Sequence, residues 1–308
     1  MSTPMKFRAH ETFFIRKGWL SKGMKKIAVN PNVFMGLDGH GNKINPMDEL
    51  GIGANMVKSL RYWMQAVGLA EERLETRKIQ VLTELGEILH KNDPYVEEMG
   101  TLCLLHYNLC TNLELATSWY FFFNVFSLRS FTKDDFVTAL SGWYALINED
   151  KVSPRSLGDD FDCIMHTYVS RERSGSTRVS PENNIDCPLG DLELIEPVGK
   201  KARVSTYRKK NINKNALHPL IALAIILDQA DGSNEVSIGM LLNAEGSVGR
   251  AFNLDTIALS SVLSELDALN RLKIVRTAGL DVVRITTNLT FAECVKEYYK
   301  SISRGANG

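Results

Sequence analysis

The sequence contains no apolar run that approaches the roughly 20 residues of a membrane-spanning helix. Residues 1–6 also lack the basic and then apolar composition that begins a secretory signal. Five cysteines occur, but none belongs to a Cys-x-x-Cys pair, and their odd number argues against a disulfide framework. These absences predict a soluble cytoplasmic protein whose cysteines are buried thiols in a reducing compartment.

Motifs that identify common nucleotide-dependent and hydrolytic enzymes are also missing. The chain has no Walker loop, dinucleotide-binding fingerprint, nucleophile elbow or zinc-protease motif. With 308 residues, 44% of them hydrophobic, it has enough apolar material for one large domain or two to three small ones.

A net charge of zero would argue against a nucleic-acid partner if the charges were evenly spread, but they are not. Residues 1–92 carry 14 basic and 9 acidic groups, residues 93–168 carry 4 and 11, residues 169–218 carry 10 and 6, and residues 219–308 carry 8 and 10. Binding to nucleic acid needs a basic face rather than a basic total, so the N-terminal segment is the candidate.

The first 30 residues are the most asymmetric part of the chain, because seven basic side chains face a single acidic residue, Glu11. A basic stretch of this length is as typical of a solvated arm as of a nucleic-acid-binding segment, and both interpretations stay open here. The basic residues are Lys6, Arg8, Arg16, Lys17, Lys22, Lys25 and Lys26.

An amphipathic helix is predicted over residues 54–67, where apolar residues recur at steps of four, four and three from Met56 to Val67. Gly68 follows the last turn, as a glycine that ends a helix usually does. The opposite face carries donors for base edges and cations for phosphates, although an ordinary solvated face has similar chemistry. Its residues are Asn55, Lys58, Arg61, Tyr62 and Gln65.

The segment after this helix predicts a basic strand over residues 77–82 and a short helix that begins at a Thr83 cap. This order is compatible with a winged helix-turn-helix unit. Residues 98–147 are rich in aromatic side chains and predict mostly buried helices, one of them capped at residues 132–135.

Residues 171–217 are predicted to be a connecting region. The stretch 171–184 has no periodicity and residues 207–215 are strongly basic, so we expect exposed loops around a short ordered piece at residues 185–196. The candidate DNA contacts in the basic stretch are Lys209 and Lys210.

The C-terminal part predicts three helices followed by a two-stranded hairpin, which is also a winged-helix order. The third helix is predicted to follow an Asp255 cap and to turn Val262, Leu266 and Leu269 inward. The predicted elements are helices at residues 220–227, 238–242 and 256–269, strands at residues 273–276 and 282–285, and a turn at Gly279.

The two candidate winged helices differ in the chemistry of their exposed helix faces. The C-terminal face has no cation, and phosphate would repel its one carboxylate. We therefore assign DNA contact to the first unit and packing or partner contact to the second. The C-terminal face consists of Thr256, Ser260, Ser264 and Asp267.

These patterns together predict a mainly α-helical protein with small β-hairpins. Both ends of the chain are predicted to form winged-helix-like units, separated by helices and a basic connection. The predicted regions are an N-terminal DNA-binding winged-helix-like region (1–95), a helical middle region (96–170), the connecting region (171–217) and a C-terminal winged-helix-like domain (218–308).

The densest group of chemically active side chains lies at residues 8–19. His10 titrates near neutral pH, Glu11 supplies a carboxylate, and nearby cations are available to stabilise a phosphate. Cleavage of a phosphodiester needs such a base or metal ligand together with positive charge. The spacing alone also fits a helix cap or a structural pair with Arg16. The cations are Arg8, Arg16 and Lys17.

A second group, from Asp159 to His166, is a weak candidate for a divalent metal site, but a structural role is favoured. Asp159 and Asp160 also suit a helix cap. His106 lies between apolar neighbours and is expected to be a core histidine. The candidate ligands for magnesium or manganese are Asp160, Asp162 and His166.

Several stretches, spread over essentially the whole chain, match the motifs of one bacterial family. The first is Phe7 to Gly23, which contains the run Arg-Ala-His-Glu-Thr-Phe-Phe, and the second is Leu50 to Trp63. The others lie at residues 93–95, 100–101, 104–107, 116–120 and 186–189. On these motifs the chain resembles the SspB family of the bacterial single-strand DNA phosphorothioation (Ssp) defence system.

The resemblance implies a component of an antiphage system in which one DNA strand is nicked so that sulfur can replace a non-bridging phosphate oxygen. It also implies three protein partners, namely a cysteine desulfurase, a sulfurtransferase resembling PAPS reductase, and an ATPase. The chain departs from the family pattern at Ala54, where a lysine is expected, and so lacks one expected phosphate contact.

Two functions of different class remain open. One is a DNA-nicking endonuclease in which His10 is the general base or a metal ligand, Glu11 orients it or binds the metal, and Arg16 helps to stabilise the phosphate. The other is a non-enzymatic DNA-binding scaffold or regulator that recruits the sulfur-transfer partners. Both predict DNA contacts at Arg8, Lys17, Lys22, Asn55, Lys58, Arg61, Lys209 and Lys210.

Overall fold

The computed structural model describes residues 5–74, 78–169, 187–201, 204–277 and 280–305. The N-terminal part consists of three helices, an antiparallel hairpin and a fourth helix, whose start is capped by Thr83 as predicted. Asn45 caps the second helix in the same way, by accepting a hydrogen bond from a backbone amide. The elements are α1 (Trp19–Val29), α2 (Pro46–Leu50), α3 (Ala54–Ala66), β1 (Ala70–Leu74), β2 (Lys78–Leu82) and α4 (Glu84–Asn92).

The helix predicted over residues 54–67 is α3, and its apolar side is buried as the periodicity predicts, with Leu60 and Met64 fully covered. Gly68 follows it with a φ of 73°, a left-handed conformation that glycine adopts without strain. β1 and β2 then pair antiparallel along their whole length. The predicted strand is confirmed from Lys78 onward, and its first residue lies outside the described part.

Buried helices and an aromatic turn occupy the middle of the chain, as predicted. The elements are α5 (Met99–Thr111), α6 (Thr117–Tyr120), a π-helical turn (Phe121–Val125), β3 (Ser130–Phe131), α7 (Lys133–Ile147) and α8 (Pro154–Tyr168). The predicted cap of α7 is a capping box, in which Thr132 and Asp135 exchange hydrogen bonds. The far end of α7 contradicts the prediction of burial, because Leu146 is 85% exposed.

The basic region after α8 forms strands where loops were predicted. A 3-10 helix (Pro188–Leu192) confirms the short ordered piece, and β4 (Ile195–Lys201) and β5 (Val204–Lys209) follow it. The loop prediction for residues 207–215 is wrong at residues 207–209, because they belong to β5, which pairs antiparallel with both β3 and β4. The pairing with β3 joins distant parts of the chain and leaves no local sequence signal. The predicted loop at residues 171–184 lies outside the described residues.

The C-terminal part has the three predicted helices and the hairpin, with one additional strand and two additional helices around them. The predicted turn at Gly279 lies outside the described residues. The elements are α9 (Pro219–Ala230), β6 (Glu235–Ser237), α10 (Ile238–Asn243), α11 (Val248–Ala251), α12 (Thr256–Ala268), β7 (Leu272–Thr277), β8 (Leu280–Ile285) and α13 (Phe291–Gly305). Asp255 caps α12 as predicted, by accepting a hydrogen bond from the Ala258 amide. Leu269 is 53% exposed, so its predicted burial is wrong, because the helix ends one residue earlier.

The predicted fold class is confirmed as mainly helical with small antiparallel sheets of two or three strands. The strand orders are β1-β2, β3-β5-β4 and β6-β8-β7. Buried apolar side chains from Ile15 to Tyr299 form one hydrophobic cluster, and the cysteines are buried free thiols, as predicted. Within the described ranges, no helix is long and apolar enough to cross a membrane. The winged-helix interpretation and the four-region division stay predictions.

Candidate nucleic-acid interface

The outer face of α3 is the face predicted from its periodicity. Asn55 and Lys58 are exposed, whereas Arg61 and Gln65 are half-buried against the hairpin that follows. The Gln65 side-chain amide donates to the Arg61 carbonyl at 3.1 Å, one turn earlier, and to the Glu72 carboxylate at 3.2 Å. The helix and the hairpin therefore hold the C-terminal half of this face in one fixed arrangement, and the N-terminal half faces solvent.

A groove of about 330 Å³ runs between this face, the hairpin and the N-terminal segment. It is bordered by four cations, of which Lys6 and Lys78 were not among the predicted DNA contacts. Lys6 comes from the N-terminal arm and Lys78 from β2, so local sequence patterns carried no sign that they meet. The residues with charged side chains around the groove are Lys6, Lys58, Arg61, Glu72 and Lys78.

The single carboxylate of the groove, Glu72, is shared by two of the cations. Arg61 donates to Glu72 Oε1 from Nε at 2.8 Å and from Nη2 at 2.5 Å, and Lys78 Nζ lies 3.3 Å from Oε2. Burial alone would raise the pKa of Glu72, but the hydrogen bonds and charges of Arg61 and Lys78 hold it below its ordinary value. Among the described residues, Lys6 and Lys58 have no ion-pair partner. The groove therefore keeps a positive surplus at neutral pH.

The segment that contains His10 is tightly folded under the groove. Arg8, Glu11 and Thr12 all have positive φ, between 52° and 66°, a conformation that costs energy in residues with a side chain. His10 is 1% exposed, and its ring stacks on Trp63 at 6.0 Å between centroids with 14° between the planes. The strained turn thus inserts the imidazole into the hydrophobic core.

Asp160 of α8 holds this turn in place. His10 Nε2 lies 2.8 Å from Asp160 Oδ1, which also accepts a hydrogen bond from the Arg8 amide at 2.8 Å. The Ser118 hydroxyl donates to the other carboxylate oxygen at 2.6 Å. His10 Nδ1 is buried without a hydrogen-bond partner in the described structure, which favours the tautomer with its proton on Nε2. A general base would need that bare Nδ1 to reach a substrate or water.

The other residues proposed for catalysis do not meet His10. Glu11 is exposed, and Arg16 lies over the rings of Phe13 and Trp19, at 5.5 and 5.4 Å from their centroids. In the described part of the chain, no hydrogen bond or ion pair joins His10, Glu11 and Arg16. The structure therefore brings together one residue from each predicted cluster, His10 and Asp160, rather than the members of the first cluster.

The remaining candidate DNA contacts are divided between exposed and engaged side chains. Arg8 is exposed and pairs with Asp159 at 2.8 Å, and Lys17 is exposed, 3.9 Å from Glu97. Lys22 Nζ donates to the Leu50 carbonyl at the end of α2. Lys210 pairs with Glu193 on the surface, while the neighbouring Lys209 turns inward. None of these residues lines the groove.

The candidate metal ligands on α8 point in different directions. Asp160 faces the core, Asp162 is exposed and bonded to Lys133 at 2.6 Å, and His166 is exposed near the Phe14 ring. Three or more His, Cys, Asp or Glu side chains suited to a metal ion are found nowhere in the described ranges. The three candidate ligands therefore do not converge on one site in the described structure.

The expectation that Asp159 and Asp160 cap a helix is wrong. Both lie inside α8, whose N-cap is Ser153 and whose first residue is Pro154. Proline suits that first position because its missing N–H is not needed there. Pro154 is therefore a better sequence signal for the start of this helix than the two aspartates.

The other sequence-predicted histidine, His106, is a core residue as expected. Its Nδ1 lies 2.7 Å from the Tyr168 hydroxyl and its Nε2 lies 2.6 Å from the Ala251 carbonyl oxygen. Burial lowers its pKa to about 4, so the ring is neutral at physiological pH.

The fold and these sites define the class of protein to which the chain belongs. The family described as "Protein of unknown function (DUF4007)" matches residues 7–299, and the chain belongs to this family. A comparison with curated proteins gave no match.

Among solved structures, the chain is similar to SspB. A magnesium-bound SspB crystal structure superposes with a TM-score of 0.81 and 26% sequence identity, over 98% of this chain and 90% of that chain. A second SspB crystal structure gives a TM-score of 0.79 and 25% identity, over 99% of this chain and 88% of that chain. The resemblance to the SspB family drawn from the sequence motifs is confirmed.

Proposed function

We propose that this protein is a DNA-binding component of a DNA phosphorothioation system that defends bacteria against phage. The observation that carries the proposal is the groove beside α3, where four cations surround one carboxylate. Two of the cations, Lys6 and Lys58, have no acidic partner in the described structure and remain available to phosphates. The similarity to SspB supports the part of the proposal that concerns the phosphorothioation system.

The order of elements from α1 to β2 supports a winged-helix mode of contact. In such a unit the third helix enters the major groove and the hairpin contacts the backbone. We propose that α3 presents Asn55 and Lys58 to DNA, and that Lys78 on β2 contacts a phosphate. The C-terminal unit, whose α12 face lacks cations, is proposed to contact the partners, namely the sulfurtransferase, the cysteine desulfurase and the ATPase.

Loss of the two cations on the outer face of α3 tests DNA binding. The double variant Lys58→Ala with Arg61→Ala is expected to weaken DNA binding by about tenfold per lost contact, or ~1.4 kcal/mol each. Fluorescence anisotropy with a labelled duplex measures the effect. The matched control is Lys151→Ala with Arg155→Ala, which removes one lysine and one arginine that are both exposed. If the two double variants bind DNA with equal affinity, the outer side of α3 is an ordinary solvated face and not a DNA contact.

DNA nicking is the second candidate function, favoured by the magnesium in the similar SspB structure. His10, Glu11 and Arg16 are the proposed catalytic residues. Because His10 is buried on Asp160, a catalytic role requires the turn at residues 8–12 to open and expose the imidazole. In the conformation described, Glu11 is exposed and His10 is not.

Conversion of supercoiled plasmid to the open circle tests this activity, with magnesium, manganese or a chelator present. Under the nickase proposal, Glu11→Gln and His10→Ala both reduce nicking at least tenfold. Thermal unfolding is measured in parallel, since removal of the buried His10 side chain disturbs the core, whereas Glu11 is exposed and its variant is expected to fold. If both variants nick the plasmid at the wild-type rate, His10 and Glu11 are not the catalytic residues. If the wild-type protein binds DNA but does not nick it, the non-enzymatic scaffold is favoured.

A further inference from the structure

A second basic pocket, distinct from the groove, is formed by three residues that are far apart in the sequence. Arg129, Lys209 and Arg250 line a cavity of about 150 Å³ that lies beside the π-helical turn. The other polar side chains around it are uncharged. They belong to Ser127, Asn211, Asn243 and Asn253.

Lys209 is the most constrained of the three cations. Its Nζ donates to the carbonyl oxygens of Phe122 and Phe126, at 2.5 Å each, and lies 4.6 Å from the centroid of the Phe122 ring. Burial lowers the pKa of Lys209 to about 7, and repulsion from Arg250 acts in the same direction. The carbonyls use two of the three ammonium protons, which leaves one for a ligand.

Among the residues that the structure describes, Arg250 and Arg129 have no carboxylate partner in an ion pair, and no carboxylate lines the cavity. Arg250 uses Nε to donate to the Asn243 carbonyl at 3.0 Å, so that its remaining guanidinium nitrogens stay available. Asp255 lies beside the cavity and accepts hydrogen bonds from the Ala258 amide and, at 3.0 Å, from Asn211. Charge from Arg129 also helps to lower the pKa of Asp255.

Lys209 caps the π-helical turn through its bonds to the Phe122 and Phe126 carbonyl oxygens, and this role explains the position of Lys209 but not of the two arginines. Two carbonyls attract one ammonium, but they give no reason for a second and third cation to converge on the same space. Like charges held together in a partly buried cavity destabilise the fold unless an anion compensates them. A volume near 150 Å³ is well below that of ordinary small-molecule pockets and suits one compact anion.

We propose that Arg129, Lys209 and Arg250 form a site for a single phosphate group, with Asn211 and Asn253 as neutral neighbours. Guanidinium groups match the geometry of phosphate oxygens by donating two parallel hydrogen bonds, and the ammonium adds a point charge. The phosphate belongs either to a DNA strand or to a free phosphate ion. Only the DNA assignment rests on the function proposed above.

Nuclear magnetic resonance of lysine labelled with ¹³C at Cε tests the site in the full chain. The Lys209 signal, identified by its loss in Lys209→Arg, is titrated with pH in chloride and then in excess inorganic phosphate at equal ionic strength. A bound phosphate is expected to raise the pKa of Lys209 by about one unit or more, since it stabilises the ammonium. The exposed Lys214 serves as the reference and is expected to keep the same pKa in both salts.

Arg250→Gln provides the matched variant. Loss of its charge is expected to raise the pKa of Lys209 in chloride, because repulsion disappears, and to reduce the further increase caused by phosphate at least twofold. A third titration with a short single-stranded oligonucleotide identifies the source. A shift with phosphate alone assigns a free anion, and a shift with both ligands assigns the phosphates of DNA.

The result that overturns the site is an unchanged Lys209 titration in both phosphate and oligonucleotide. Lys209 would then be only the cap of the π-helical turn. If phosphate shifts the pKa of Lys209 but the protein does not bind DNA in the anisotropy assay, the phosphate site stands and the proposed DNA-binding function fails. Failure of the site and failure of the proposed function are therefore distinguishable.

Discussion

At the scale of single residues, His10 and Asp160 show how a catalytic pattern and a structural pair look alike in sequence. A histidine beside a glutamate and several cations is what phosphodiester cleavage requires. The partner that fixes His10, however, stands 150 positions later in the chain. Nothing in the spacing of residues 8–19 indicates that distance, so the pairing could not be predicted.

The buried pair gives a stability prediction with a matched control two residues away. Asp160→Ala is expected to destabilise the fold by about 3–5 kcal/mol, because the Arg8 amide, His10 and Ser118 all lose their acceptor in the core. Asp162→Ala removes an exposed pair with Lys133 and is expected to cost at most about 1 kcal/mol. Urea unfolding measures both. Similar losses for the two variants would contradict the anchoring role of Asp160.

At the scale of elements, caps and amphipathic periodicity were sufficient wherever a helix is defined by its own residues. The start of α4 at Thr83, the capping box of α7 and the buried side of α3 all follow from neighbours within a few positions. Strand β5 could not be predicted in this way. Its pairing with β3 is long-range, and its basic composition, which includes Lys209, is typical of a loop.

Helix α4 also contains a glycine, Gly86, that is required by close packing rather than by its backbone conformation. A Cβ added to Gly86 would lie 2.1 Å from the carbonyl oxygen of Leu69, which is backbone and unable to give way. Alanine favours a helix by about 1 kcal/mol over glycine. The close approach outweighs this gain, so Gly86→Ala is expected to destabilise the protein by about 1–3 kcal/mol.

Gly142 in α7 is the control for this prediction. No atom of another described residue outside this helix would lie within 4 Å of a Cβ there, so Gly142→Ala is expected to stabilise the protein by about 1 kcal/mol through helix propensity alone. Thermal unfolding of both variants measures the difference in sign. Stabilisation by both substitutions would show that α4 can shift away from Leu69.

At the scale of the whole molecule, the neutral total of 36 basic and 36 acidic groups conceals separate regions of opposite sign. The groove beside α3 and the cavity beside the π-helical turn are both basic. Both depend on residues from distant parts of the chain, such as Lys6 with Lys78, and Arg129 with Arg250. Segment charges therefore predicted that a basic surface exists at the N-terminus, but only the fold could define which cations share it.

This distribution predicts how DNA binding responds to salt. The groove offers two unpaired cations and two that share Glu72, so about two to four phosphates are neutralised and the slope of log K against log salt is expected to lie near −2 to −4. Anisotropy between about 50 and 200 mM salt measures this slope. The Lys58→Ala and Arg61→Ala double variant is expected to reduce its magnitude by about one to two, because each lost phosphate contact releases one counterion fewer. A slope near zero in the wild type would mean that the groove does not contact phosphates, since the neutral total provides no long-range attraction that could replace local contacts.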